Sequence, residues 1–361
     1  MSKGFHKLTV QKVKRETTDT VTLTFDIPSE LENDYSYKPG QYLTLKFNLR
    51  GSEVRRAYSM SSAPYESGIS VTVKRVKDGL VSNHINTNIV KGDNIEVMVP
   101  EGRFSPKLNE ENKKAYYLFG AGSGITPLMS ILKTILETEP MSYVYLLYGN
   151  RNEDGIIFKP ELDELVKRYT GQFFVTHTLS APKKVKSGFF KKAKITWEGN
   201  VGRINEQSVS TFLDKNKSIH KTSEYFVCGP GGMIDTVENL LIQKEIDAKN
   251  IHTERFVNAS QTAKSEGGIA SAKLIAQLDG KTIQTTMKPG KTILDALLDK
   301  GADAPYSCTA GACATCMAKV TKGSAKMDAC FALDDDEVKN GFILTCQAHP
   351  TTNEIEVTFE V

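Results

Sequence analysis

Long apolar runs are missing from this 361-residue chain: its hydrophobic stretches are strand length, far short of a membrane span. Met1 to Val10 holds no continuous apolar core of the kind a secretory signal needs, so the expected location is cytoplasmic and no membrane partner is expected. Internal repeats and biased tracts are absent too, and the composition, 39% hydrophobic and 25% charged, is that of an ordinary globular protein. Arginine disappears from Gly268 onward. There nine Lys face eight Asp and four Glu, a net −3 within a chain of net +3, so the preceding residues carry +6. Opposite signs would suit docking of the two parts or steering of a redox partner, and ordinary solvated surfaces equally well. The dense positive run Lys183, Lys184, Lys186, Lys191, Lys192 and Lys194 has only Phe189 and Phe190 as interleaved aromatics and no binding fold around it. It reads as an exposed loop, and no nucleic-acid partner is expected.

Cysteine is scarce but concentrated. Four of the six, Cys308, Cys313, Cys316 and Cys346, have four, two and then 29 residues between them. That is the spacing of a plant-type 2Fe-2S cluster, in which two irons take four thiolates. Ala310, Gly311, Ala312 and Ala314 supply the small residues that let backbone N–H groups approach the sulfides. Zinc sites usually present two close cysteine pairs, and disulfides need an oxidising compartment that nothing here suggests. Cys330 lies off the pattern and reads as a small apolar residue; Cys228 falls in another domain.

The length is too great for one typical core and implies two or three domains. From Phe5 to about Phe104 short alternating segments are punctuated by Pro39-Gly40, Gly68 and Gly92-Asp93, which predicts a six-stranded antiparallel barrel. Arg56-Ala57-Tyr58-Ser59 ends one strand, and Gly79-Leu80-Val81-Ser82 opens a short helix. Together they suit an aromatic cofactor bearing phosphate: Arg grips a diphosphate, Tyr lies on a ring system, and a helix N-terminus offers N–H groups to an anion.

From Lys114 to Val257 buried strands alternate with amphipathic helices, which predicts a doubly wound parallel α/β sheet. Its first strand runs into Gly120-Ala-Gly122-Ser-Gly124-Ile-Thr126-Pro127 and then a helix from about Leu128 to Glu137. Pro127 stands where a dinucleotide fingerprint has its third glycine, so this turn alone is a weak signal. A second turn, Cys228-Gly229-Pro230-Gly231-Gly232-Met233, ends a later strand. Alone it would be a tight connection. In such sheets ligands lie beyond the carboxyl ends of the strands, so the two turns face one crevice and suit a nicotinamide dinucleotide. Arg151, just past the second strand, suits a 2′-phosphate and favours NADPH, whereas nearby Glu153 and Asp154 favour NADH.

Residues 257–268 are small and polar and read as a linker. Beyond come two strands around Asp279-Gly280, a helix near Thr292 to Leu298, the cysteine loop, an acidic helix start at Asp334-Asp335-Asp336-Glu337 and a closing strand. The expected domains are thus 1–105, 106–257, a linker 258–268, and 269–361.

In this order, the Arg-Ala-Tyr-Ser, Gly-Ala-Gly-Ser-Gly-Ile-Thr-Pro and Cys-Gly-Pro turns with the cysteine motif resemble the ferredoxin-NADP reductase superfamily fused to a plant-type ferredoxin domain. The resemblance covers nearly the whole chain. It implies an FAD-binding barrel, an NAD(P)-binding domain, and a β-grasp 2Fe-2S domain. It places Arg56, Ala57, Tyr58 and Ser59 on the FAD, with Val73, Lys74, Val76, Gly79, Val81 and Ser82 completing the pocket and Phe256 near the flavin edge. Gly122, Gly124, Thr126 and Arg151 would hold NADPH (or NADH), and Cys228, Gly229, Pro230 and Met233 would bring the nicotinamide to the flavin. Plant-type reductases end in an aromatic residue; here a ferredoxin domain follows Phe256 instead.

The implied activity is that of an NAD(P)H-dependent oxidoreductase passing electrons through FAD and the cluster to an external oxygenase or epoxidase. Hydride transfer needs reacting atoms within about 3 to 3.5 Å, an approach the Tyr58 and Cys228 regions would arrange. No general acid or base is assigned. The alternatives are a reductase of another ring hydroxylase, Rieske-type or steroid, and a non-catalytic electron carrier or scaffold. As the exit port for electrons, Tyr306 to Met317 is expected to lie open to an outside protein.

Overall fold

The structure, a computed structural model, describes residues 4–185, 194–256, 269 and 271–360. Lys186, Phe189, Phe190, Lys191, Lys192, Val257 and the expected linker at 258–268 lie outside the described residues. The chain forms two compact units, one of Lys7–Leu43 and Tyr58–Phe256, the other of Met1–His6, Thr44–Ala57 and Val257–Val361.

The first six strands are β1 (Phe5–Thr17), β2 (Thr20–Asp26), β3 (Tyr42–Leu49), β4 (Ser52–Ser59), β5 (Ile69–Lys74) and β6 (Asn94–Met98), with α1 (Leu80–Asn88) between the last two. They form one sheet in the order β4-β3-β6-β1-β2-β5. Alternation sets its faces: in β2, Val21, Leu23 and Phe25 point to the core, while Thr22 on the other face bonds Thr72 of β5 at 2.8 Å. Met60, just past β4, bridges Val71 of β5, so the outer edges meet as the expected barrel requires.

Next come β7 (Lys114–Ala121), α2 (Ile125–Thr138), β8 (Tyr143–Asn150), α3 (Lys159–Arg168), β9 (Phe173–Leu179), the short strands β10 (Lys184–Val185), β11 (Lys194–Ile195) and β12 (Asn200–Val201), then α4 (Glu206–Lys215), β13 (Thr222–Gly229), α5 (Gly231–Gln243) and β14 (Ile251–Arg255). Parallel pairing gives the order β12-β9-β8-β7-β13-β14. Central strands buried on both faces need continuous apolar sequence, and Ala115 to Phe119 supplies it. The strand order reverses between β7 and β13, which is where this fold opens a crevice. Helix α2 starts three residues before its sequence-predicted position, because Pro127 sits in the first turn, where its missing N–H has no intrahelical partner to lose.

On β9, His177 has a buried Nδ1 with no hydrogen-bond partner among the described residues. Burial, helped by the Lys159 charge, pushes its pKa from 6.5 down to about 4. The unfolded chain therefore takes up this proton first, and folding stability falls as pH drops from 6.5 toward 4, by up to roughly 3 kcal/mol. His177→Phe should flatten that part of the stability profile in urea unfolding between pH 7 and 4.5. An unchanged slope would remove His177 from the acid response.

The C-terminal region contains β15 (Lys273–Leu278), β16 (Lys281–Thr286), α6 (Ile293–Asp299), β17 (Met317–Lys322), β18 (Ala325–Met327), α7 (Asp335–Lys339), β19 (Phe342–Leu344), β20 (Ala348–Pro350) and β21 (Glu354–Thr358). A mixed sheet, β16-β15-β21-β17-β19, packs on α6. Both helices begin where their side chains cap them: Thr292 and Asp295 form a capping box for α6, and Asp334 and Glu337 one for α7. The acidic run is therefore a helix start, as its sequence implies.

Candidate functional site

In the first unit β4 ends at Ser59, whose buried hydroxyl donates to the Glu254 carboxylate of β14 at 2.9 Å. Glu254 is register partner of Cys228 on β13, and Cys228 is register partner of Gly120 on β7. Four strand ends thus converge on one place. Burial pushes the Cys228 thiol well up, and the Glu254 carboxylate adds to the shift, so Cys228 stays a neutral thiol. The two glycine turns meet here: a Cβ on Gly124 would stand 2.1 Å from the Cys228 carbonyl oxygen. Only glycine allows that approach. Gly122 has φ +56° and its carbonyl accepts from the Tyr148 hydroxyl at 3.0 Å; the Thr126 hydroxyl donates to the Ser123 carbonyl at 3.0 Å. The start of α2 is thereby held with its first N–H groups toward the crevice.

Helix α1 is fixed by its own first turn. The buried Ser82 hydroxyl accepts the Val76 N–H at 3.1 Å, and the Asn83 amide donates to the carbonyls of Val76 (2.9 Å) and Gly79 (2.6 Å). Val73 and Val81 are buried beside it, Lys74 is half-buried, and Val76 is exposed. Tyr58 is half-buried one residue before Ser59.

At the crevice rim Arg151 follows β8 and is exposed. The two nearby carboxylates are engaged: Glu153 accepts the Lys183 N–H at 3.0 Å and Asp154 pairs with the Lys183 ammonium at 2.7 Å.

The cysteines of the second unit, Cys308, Cys313, Cys316, Cys330 and Cys346, are all free thiols, as is Cys228 in the first. Among the described residues no three or more His, Cys, Asp or Glu side chains converge on one metal-sized point. The loop thiols instead form two pairs. Cys313 and Cys308 lie 3.1 Å apart, and Cys316 hydrogen-bonds Cys346. Two thiols for each of two irons is the donor set a 2Fe-2S cluster needs, and a single zinc ion would need all four at one centre. The hydrogen bond from Cys313, with backbone N–H groups of Ala310 and Ala312, brings the Cys308 thiol down to about 7 despite burial. Cys346 is lowered chiefly by its bond from Cys316, with the Gly311 N–H and the Gln347 amide assisting. Gly311, at φ +73°, leaves no room for a Cβ, which would meet the Ala329 carbonyl oxygen at 2.7 Å. The Gln347 amide reaches the Cys346 sulfur at 3.6 Å and the Thr309 carbonyl at 3.1 Å. The residues present fit the cluster.

Three family models match in sequence order: an oxidoreductase FAD-binding domain over residues 7–105, an oxidoreductase NAD-binding domain over 118–239, and a 2Fe-2S iron-sulfur cluster binding domain over 276–351. The chain is 36% identical to one component of the 1,2-phenylacetyl-CoA epoxidase of Escherichia coli, across 99% of this chain and 98% of that one. It is 34% identical to the ferredoxin reductase component of 3-ketosteroid-9-alpha-monooxygenase from Rhodococcus rhodochrous, across 98% and 96%. The chain belongs to the family of oxygenase reductase components. It is an oxidoreductase built for FAD, a nicotinamide dinucleotide and a 2Fe-2S cluster. Its fold matches that of phthalate dioxygenase reductase with a TM-score of 0.60 at 21% identity, covering 99% of this chain and 98% of that one.

In this reductase the sequence-predicted residues fall into separate groups. Ser59, Gly124 and Cys228 come together, with Gly229 and Met233 buried behind the second turn and Pro230 exposed at its head. Arg56 is half-buried, and its guanidinium donates to the Arg55 carbonyl at 2.7 Å. Ala57 is half-buried after it, and Phe256 is 42% exposed at the last described position before the linker. Sequence reasoning misses Glu254. Its one sequence signal is its place two residues before Phe256, at the end of the last strand of the sheet.

The expectation that Tyr306 to Met317 lies open to an outside protein needs correcting. No residue from 306 to 317 is exposed; Ser307, Ala310, Gly311, Cys313, Thr315 and Cys316 are buried and the others half-buried. Ser307 accepts a 2.9 Å hydrogen bond from Thr44, and the Tyr306 ring lies 4.2 Å from the Arg55 guanidinium, so this end of the loop is occupied within its own unit. Cys330 is half-buried against the same core, consistent with a packing role. Among the described residues no helix is long and apolar enough to cross a membrane.

Proposed function

We propose that this reductase takes hydride from NADPH and delivers electrons to a phenylacetyl-CoA epoxidase, in phenylacetate degradation in the cytoplasm. The observation that carries the chemistry is the convergence of Ser59, Cys228 and Glu254 beside the Gly124 turn, at the reversal of strand order. When bound, FAD accepts hydride and releases electrons singly, which is the form a 2Fe-2S cluster takes. In this reading Arg56, Tyr58, Ser59 and the first turn of α1 hold FAD, and the Gly122 to Thr126 turn holds the coenzyme pyrophosphate. Cys228 to Met233 set the nicotinamide against the flavin. The buried Cys228 and the Ser59–Glu254 bond would close the inner side of that site and exclude water from it. Cys308 with Cys313, and Cys316 with Cys346, ligate the irons. The three domains are those spanning 1–105, 106–257 and 269–361.

The partner assignment rests on the likeness to the Escherichia coli epoxidase component along nearly the whole of both chains. Likeness to the steroid monooxygenase component at 34% supports a second reading, a ring hydroxylase as acceptor. Reconstitution separates them: purified reductase with the epoxidase components should oxidise phenylacetyl-CoA at the expense of NADPH. Turnover only with a ring hydroxylase would replace the first reading by the second.

The coenzyme preference rests on Lys183. Its ammonium pairs with Asp154 and its backbone N–H bonds Glu153, which offsets part of the charge that would repel a 2′-phosphate, while the Arg151 side chain has no partner among the described residues. Arg151→Ala should lower kcat/KM for NADPH about tenfold and leave NADH nearly unchanged, as expected for loss of a charged hydrogen bond. Lys183→Ala should shift the same ratio in the same direction by a smaller factor. A constant NADPH to NADH ratio in both variants would reject the preference.

A further inference from the structure

Arg55 immediately precedes the flavin motif, yet its side chain turns toward the C-terminal part of the second unit and is only 7% exposed. Glu53 accepts from it at 2.8 Å and Asp303 at 3.3 Å, while its guanidinium carbon lies 4.8 Å from the Phe5 ring centroid and 4.2 Å from that of Tyr306. Asp303 is 88% exposed and contributes little. The aromatic faces and Glu53 are the partners that compensate a nearly buried cation. On the neighbouring strand β3, the Thr44 hydroxyl donates to Ser307 in a fully buried bond. Tyr306 and Ser307 directly precede Cys308. The clamp is therefore three residues from Tyr58 on one side and two from the first cluster thiol on the other.

We propose that Arg55 is a positioning residue for electron delivery: it holds the Tyr306–Cys308 end of the cysteine loop on the strand that runs into the flavin motif. The end it holds leads into Cys308, which with Cys313 would hold one of the two irons. The proposal rests on the reading of Tyr58 and Ser59 as flavin residues. In each transfer one electron leaves the reduced flavin and one iron passes from ferric to ferrous.

The test uses the holoprotein with Arg55→Met, Arg55→Lys and Tyr306→Leu. Flavin content, cluster absorbance and NADPH-ferricyanide reduction should stay within about twofold of the wild type, because none of these residues is placed on a cofactor. Stopped-flow bleaching of the cluster after flavin reduction should slow at least about tenfold in Arg55→Met and Tyr306→Leu, since ångström-scale misplacement costs rate steeply. Arg55→Lys should recover part of the rate, because the charge remains but the stacking plane is lost. Amide hydrogen exchange across residues 303–307, measured also on cluster-free protein, should quicken in step with the slowing. Quickened exchange with wild-type bleaching, or unchanged exchange in both Arg55→Met and Tyr306→Leu, overturns the proposal. A parallel fall in ferricyanide reduction also overturns it, because Arg55 would then act on the flavin. Tyr306→Leu keeps the test alive if Arg55→Met fails to fold. The flavin reading fails separately: Tyr58→Ala would then retain full flavin content.

Discussion

Cys313→Ala abolishes the broad cluster absorbance and reduces cytochrome c reduction to background, while NADPH-ferricyanide reduction by the flavin continues. The expectation follows from the paired thiols. Cys313 is 6% exposed and lies 3.1 Å from Cys308, so its loss leaves one iron with a single protein thiolate in a pocket that admits little water. The alternatives nearby do not substitute: Cys330, the next free thiol of the same unit, is turned to the Leu333 carbonyl. The cluster's stability is also folding stability for the loop around Ala310 to Ala314, so the variant should lose thermal protection of this domain alone. Absorption spectra and the two acceptor assays on one preparation decide the matter. Survival of both activities would take the cluster off the electron path.

The cysteine spacing is legible because iron–sulfur chemistry demands residue type and number at fixed places in sequence, and four thiols reveal themselves without a fold. The strand and helix order is legible for a similar reason: β2 alternates strictly, while Ala115 to Phe119 is apolar without interruption, and those two patterns mean different sheets. What stays hidden depends on contacts between residues far apart in the chain. Glu254 becomes a site residue only because Ser59, 195 positions earlier, bonds to it. The closed state of Tyr306 and Ser307 depends on Arg55 and Thr44, which no local pattern links to them. In the sequence Lys183 is one member of a basic run, and its relation to Glu153 and Asp154 emerges only when the chain returns past the end of β8.

The Gly124→Ala substitution tests the crevice itself and has the larger structural reach. Its Cβ would lie 2.1 Å from the Cys228 carbonyl oxygen, 2.5 Å from the carbonyl carbon and 2.8 Å from the Gly229 nitrogen. All three are backbone atoms, so no side-chain rotation relieves the clash, and the ends of β7 and β13 must separate. Overpacking of this kind costs about 1 to 3 kcal/mol. The displaced residues are Cys228 and Gly229 on one side and the first turn of α2 on the other, the two elements assigned to the coenzyme. Flavin reduction by NADPH in single turnover should therefore slow by roughly a hundredfold, the order expected for misplacement by an ångström. Coenzyme affinity should fall with it, whereas cluster reduction by dithionite should proceed as in the wild type. Gly171→Ala is the control for a glycine change in the same unit, since a Cβ there meets nothing within 4 Å, although its φ of +86° adds strain of its own. Wild-type flavin reduction in Gly124→Ala would mean that the two turns do not share a ligand, and the coenzyme would have to be sought elsewhere on the sheet.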